Sequence, residues 1–292
     1  MQREPLSLFG DIAMRLDSYR LNITSQHGEN GIIAYLLCAF PSIAKVCLEV
    51  GACDGVRNSN TNPLWTSGWR ALLIEGSAGL YSKLRQRSHG YDVTTVNTSI
   101  TPLGENSLDA IAERHGFADI GIASIDIDSC DYWIFAHMKM TPAVVIIECN
   151  PDFPILVSYC DTEGMSLLRH SARAVAELGA SKGYRAIACT GPNVIMMRED
   201  LIATNPDAVP NLPLFALQDG QYAASRSKWI VGAKPFTYRP IYKVLPPPPL
   251  RAYFWMRFVG LTARAAMRGR ASTFARIGRA ERDHLLRAGL IA

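Results

Sequence analysis

The sequence predicts an α/β fold: a doubly wound, mostly parallel sheet of seven strands with an antiparallel C-terminal hairpin strand, followed by a helical C-terminal extension. Three observations carry this. Short apolar runs alternate with segments of helical length. Some runs, such as Val144-Val145-Ile146-Ile147, are apolar at every position, as strands covered on both faces must be. The last two runs are separated only by a short turn sequence, which is a hairpin signal.

The elements follow in chain order. SQHGENGIIAYLLCAF is expected to be a helix covering an edge of the sheet. Strands are expected at 45–50 (KVCLEV), 70–76 (RALLIEG), 91–97 (YDVTTVN), 120–127 (IGIASIDI) and 143–149 (AVVIIEC). GLYSKLRQR, SLDAIAERHG and YWIFAHMK, between them, suit helices. SLLRHSARAVAELGASKG reads as one further helix, with Val175, Leu178 and Lys182 at helical spacing and Gly183 as its cap. YRAIACTGPNVIMMRED reads as two strands joined by Thr190-Gly191-Pro192-Asn193. Residues 1–245 are assigned to one domain. Four prolines at 246–249 then favour an extended spacer, and 246–292 is assigned to a basic helical extension.

At 292 residues, 48% hydrophobic and 19% charged, the chain can bury one large core. Its formal charge of +4 is unevenly spread. The last 42 residues hold nine Arg and no Lys against Glu281 and Asp283, a tail of +7 that leaves −3 for the remainder. Seven Cys are scattered without a C-x-x-C pair, several of them inside apolar runs. That pattern suits buried, reduced thiols in a cytoplasmic protein. The N-terminus has no apolar core of a signal peptide, and no run is long enough to span a membrane, so neither is expected.

The first expected strand runs into Glu49-x-Gly51-x-x-Asp54-Gly55. A strand, a Gly-rich turn and a helix make a nucleotide or nucleoside site. The dinucleotide pattern G-x-G-x-x-G would need Gly at Cys53 and Val56, so a nicotinamide oxidoreductase is disfavoured. The turn instead sets acids beside the ligand, which suits a cationic one without phosphate, such as S-adenosylmethionine (SAM). Glu75 ends the second strand, about 20 residues on, where an acid can accept from both ribose hydroxyls.

At the fourth strand's end Asp126 and Asp128 share a face, and Glu148 and Asn150 form a second such pair at the end of the fifth. Three readings are open. The four side chains could bind Mg²⁺, which would lower the pKa of a substrate hydroxyl. One Asp could act as general base, with Asn150 anchoring the substrate. Asp126 and Asp128 could simply cap the next helix at Ser129–Asp131. His27 and His137 are further candidate bases. Ser59, Asn60 and Thr61 either line the pocket or start a helix. Tyr132 and Trp133 read as packing residues.

SQHGENGII, LEVGACDGVRNSNT, GWRALLIEGS, IASIDIDSCDYWI, VVIIECNPDFP and SKGYRAIACTGPNVIMMRED occur in this order over roughly residues 23–202. Together they resemble the FkbM-related SAM-dependent methyltransferases, of the class I, Rossmann-like fold. Where that family usually has Gly after the second Asp of its fourth-strand motif, this chain has Ser129. The resemblance implies SAM bound through Glu49, Gly51, Gly55 and Glu75. Asp54, Gly76 and Ser77 complete the expected cofactor set. The Asp and Asp-Asn strand ends are also similar to those of catechol-type O-methyltransferases, a resemblance that accords with the Mg²⁺ reading.

The expected function is O-methylation of a sugar or natural-product hydroxyl. The alternative is a non-catalytic SAM- or nucleotide-binding module. In the tail, Phe254, Phe258, Leu261 and Ala265 fall on one helical stripe beside Arg257, Arg264 and Arg268. It reads as a helix docked on the body or on a second subunit, forming a homodimer. An anionic membrane surface is the alternative, and no nucleic-acid motif accompanies the arginines.

Overall fold

The computed structural model describes residues 15–217, apart from 152, 154–157, 165, 167 and 168. These belong to the first of two units, Met1–Asp219 and Gly220–Ala292. The expected boundary near 245, the prolines and the basic extension lie outside the described residues.

Seven strands form one sheet: β1 (Val46–Val50), β2 (Arg70–Glu75), β3 (Val93–Asn97), β4 (Ile122–Ile125), β5 (Val144–Glu148), β6 (Tyr184–Cys189) and β7 (Asn193–Arg198). Their order is β3-β2-β1-β4-β5-β7-β6. The first five pair in parallel, and β7 enters antiparallel between β5 and β6. This is the sheet of the class I methyltransferase fold, as the alternating pattern closed by a hairpin predicts. The turn at Gly191 has φ +111°, a conformation that suits glycine, and the amide of Thr190 donates to the carbonyl of Asn193.

The central strands are covered on both faces, so alternate residues enter different cores. Cys47, Leu73, Ile122, Val144, Ile146 and Ile195 share one core with α1 (Glu29–Ala39), α2 (Asn62–Thr66), α3 (Ala78–Arg87) and α7 (Glu199–Ile202). Leu48, Val50, Ile74, Ile125, Val145 and Ile147 share the other with α4 (Leu108–Arg114), α5 (Asp131–His137), α6 (Ala172–Ser181) and α8 (Leu214–Leu217).

Two expectations need correction. The N-terminal helix lies on a face rather than an edge: Ile32, Ile33 and Leu36 are buried in the core of the central strands. The helix expected over 166–183 is shorter. Ser171 accepts the amide of Ala174 as an N-cap, and α6 starts at Ala172. Arg169, at φ +64°, cannot continue a right-handed helix, and His170 instead pairs with Cys160 in an antiparallel bridge.

Candidate functional site

Where the strand order reverses, between β1 and β4, a cleft of about 380 Å³ opens outside the carboxyl ends of β1, β2 and β4. Gly51, Glu75, Gly76, Asp126 and Asp128 line it, together with Thr98 and Ser99 beyond β3. The sequence reading did not single out Thr98 or Ser99, because β3 ends without an acid or a glycine to mark it. Gly51 has φ +78°, and a Cβ there would stand 1.8 Å from the carbonyl oxygen of Asp126. Only glycine lets the β1 loop pass this close to the end of β4.

The loop after β1 uses its backbone amides internally. Gly51 and Ala52 donate to the carbonyl of Ile74, Cys53 to the Glu75 carboxylate, and Val56 and Arg57 to Asp54. Asn60 donates to Glu49, and Thr61 and Asn62 to the hydroxyl of Ser59. The carboxylate of Asp54 also pairs with Arg87 at 2.6 Å. Partial burial works against its ionisation, but the amides of Arg57 and Val56 and the Arg87 guanidinium outweigh it, and its pKa lies below the ordinary value. Asp54 is therefore a staple within the loop. Gly55, at φ +83°, packs beside Leu84 and accepts from the Asn62 amide side chain. Ser77 stands exposed at the N-cap of α3.

Glu49 and Glu75 end neighbouring strands in different settings. Glu49 is buried on the α1 side of the sheet, with Ser124 as its neighbour on β4. It accepts from the hydroxyls of Ser59 (2.6 Å) and Thr61 (2.7 Å) and from the Asn60 amide (2.7 Å). Burial raises its pKa, and those three donors oppose the rise. Its carboxylate fixes the Ser59-Asn60-Thr61 turn and does not line the cleft. Glu75 does line it. One oxygen accepts from the amide of Cys53 (2.8 Å) and the other from that of Ser77 (2.7 Å). Each oxygen has a second lone pair, so the carboxylate can still accept a pair of ligand hydroxyls.

The N-terminal motif is a clasp. Asn30 accepts the amides of Ile23, Thr24 and Ser25 and donates to the carbonyls of Ser59 and Asn60. Glu29, fully buried, accepts from Thr190, Asn193 and the amide of His27. His27, expected as a catalytic base, lies in this segment and is not among the cleft-lining residues. His137 ends α5, 3.1 Å from Glu163.

The acids expected at the ends of β4 and β5 do meet. One oxygen from each of Asp126, Asp128 and Glu148 falls within a 4.8 Å group. Burial raises the pKa values of both Asp126 and Glu148; the neighbouring Asp128 charge adds to the rise and the Arg169 guanidinium opposes it. Asn150 is buried, and its backbone amide donates to the carbonyl of His170. Asp131, rather than Asp126 or Asp128, holds the β4–α5 loop: it accepts the amides of Ile127 (2.7 Å) and Ser129 (3.1 Å). Burial pushes its pKa up to about 7.

The sequence reading missed Arg169. Its guanidinium donates to Asp128 at 2.7 Å and to Glu148. Its backbone amide donates to the buried carboxylate of Asp161 (2.6 Å), and its carbonyl accepts the amide of Asp161. Asp161 is held in turn by the hydroxyl of Tyr159. Residues that suit a hard cation by type therefore do not fit one as arranged. The place between Asp128 and Glu148 already holds the guanidinium of Arg169. The expected Mg²⁺ site is not supported by this geometry.

No family model matches the chain, and no curated protein matches it. Several solved structures show a similar fold. Magnesium protoporphyrin IX methyltransferase from Synechocystis PCC 6803, with bound SAH, is 12% identical over 59% of this chain and 81% of its own, with a TM-score of 0.39. CalS10, an amino pentose methyltransferase from Micromonospora echinaspora, is 13% identical over 59% and 91%, also at 0.39. A SAM-dependent methyltransferase from Clostridium acetobutylicum is 11% identical over 59% and 92%, at 0.40.

Proposed function

We propose that the chain is a SAM-dependent methyltransferase acting on oxygen. One observation carries the cofactor reading: the loop beneath the cleft directs its amides into the protein, while Glu75 offers acceptors toward the ligand. A pyrophosphate would need those amides. A ribose diol on a cationic, phosphate-free molecule needs the acceptors. The resemblance to FkbM-related enzymes supports the same assignment and points to a sugar or natural-product hydroxyl as acceptor.

SAM, when bound, would supply an electrophilic methyl group to a substrate oxygen. The chain's own part is to hold the ribose at Glu75 and to take the hydroxyl proton on Asp126, which lines the cleft. The basic extension 246–292 serves as a docking element, with a homodimer as the favoured partner.

Calorimetry on the full chain tests this reading. SAM and its demethylated product should bind, and NAD should not. Glu75→Ala should weaken SAM binding by about 1.5–3 kcal/mol, the scale of hydrogen bonds to a charged group. Binding of NAD in place of SAM would overturn the cofactor assignment. Glu75→Ala with unchanged affinity would remove Glu75 from the site. Turnover on a panel of glycosides then identifies the acceptor.

A further inference from the structure

We propose that Arg169 is a built-in counter-ion: its guanidinium stands where a divalent cation would otherwise bind between Asp128 and Glu148, and it orients both carboxylates at the acceptor end of the cleft.

The placement is built from both sides. Arg169 adopts φ +64°, a left-handed conformation that favours glycine and is uncommon for a long side chain. The backbone is held there by the reciprocal bonds to Asp161, by the Cys160–His170 bridge beside it, and by the Ser171 amide donating to the carbonyl of Tyr159. The indole of Trp133 fixes the same return from α5 by donating to the carbonyl of Asp161 at 2.9 Å. His170, the next residue, is anchored to the carbonyl of Glu148 at 2.5 Å. Both ends of the loop are thus tied to β5 and α5, and the guanidinium reaches the acids from a fixed base.

Electrostatics make the cation necessary. Three carboxylates within a 4.8 Å group repel one another, and Glu148 is largely out of water. A guanidinium forks between two oxygens at once and keeps its charge at any accessible pH. The cluster is therefore complete without metal. This inference rests on the acceptor end assigned above, but its readout is metal binding rather than methyl transfer, so its failure is separate from a failure to bind SAM.

The test is a Mn²⁺ titration of the full chain, followed by the loss of the free-ion electron paramagnetic resonance signal. Wild type and Arg169→Lys should take up no stoichiometric Mn²⁺. Arg169→Gly, which the left-handed backbone tolerates, and Arg169→Gln, which keeps some bulk, should each gain a site at least about tenfold tighter, because the acids lose the guanidinium that stands between them. Adding Asp128→Asn should abolish that gain. Stoichiometric Mn²⁺ on wild type, lost in Glu148→Gln, would overturn the proposal. So would the absence of any gain in whichever of Arg169→Gly and Arg169→Gln folds, as judged by circular dichroism.

Discussion

The ring of His170 lies buried against the carbonyl of Glu148, and only a protonated Nε2 can donate to that oxygen. Burial lowers its pKa to about 4, with the Glu148 contact opposing the fall and the Arg169 charge adding to it. An unfolded histidine titrates near 6.5. Below that pH the unfolded chain takes up a proton that the native chain refuses, so the contribution of His170 is complete above about 6.5 and is lost as pH falls toward 4. The stability advantage of wild type over His170→Gln should therefore shrink by about 2 kcal/mol between pH 7 and pH 5, as read from urea unfolding at the two values. A gap that stays constant would mean the ring titrates in the fold as it does in the unfolded chain. At this scale residue type was readable in the sequence, but direction was not. Glu49 sits in a strand that is apolar on both faces, so alternation gave no hint that its carboxylate turns toward α1. Arg169 is separated by 21 positions from Glu148 and lies in a stretch whose leucines look helical; nothing local pairs it with an acid.

Strands were legible as elements because full burial demands unbroken apolar runs, and their observed limits fall within three residues of the expected ones. Helices were legible where a face was apolar, but not where side-chain caps end them, as Ser171 does at α6. The SQHGENG stretch reads as helix by composition, yet its first four residues precede α1, and Glu29 and Asn30 in the first turn form a clasp whose bonds reach two other loops. Asn30→Ala removes the acceptor for three amides and the donor to Ser59 and Asn60. It should cost about 2–4 kcal/mol of stability, since buried donors lose their partner. Amide hydrogen exchange should rise at 23–25 and also at 59–61, some 30 residues away in sequence. Faster exchange confined to 23–25 would show that the clasp does not hold the loop beneath the cleft.

For the whole molecule, the sheet, both cores and the cleft are assembled from residues between Leu16 and Leu217. Among the described residues, every strand has its partners in that span, and every cleft-lining residue lies between Val50 and Ser129. Among the described residues, no helix is long and apolar enough to cross a membrane. The basic charge, by contrast, is concentrated after the prolines at 246–249. A chain ending at 245 should therefore bind SAM with the affinity of the full chain. Its solution mass by light scattering separates the roles of the extension. If Phe254, Phe258 and Leu261 join two copies, truncation should reduce the particle to one chain at unchanged SAM affinity. If the arginines hold an anionic surface, the mass per particle stays that of the intact protein less its tail, and co-sedimentation with phosphatidylserine vesicles is lost instead. We expect the first result: the apolar stripe requires burial, whereas exposed arginines are stable in water. Loss of SAM binding on truncation would contradict both, and would mean that the extension completes the cleft.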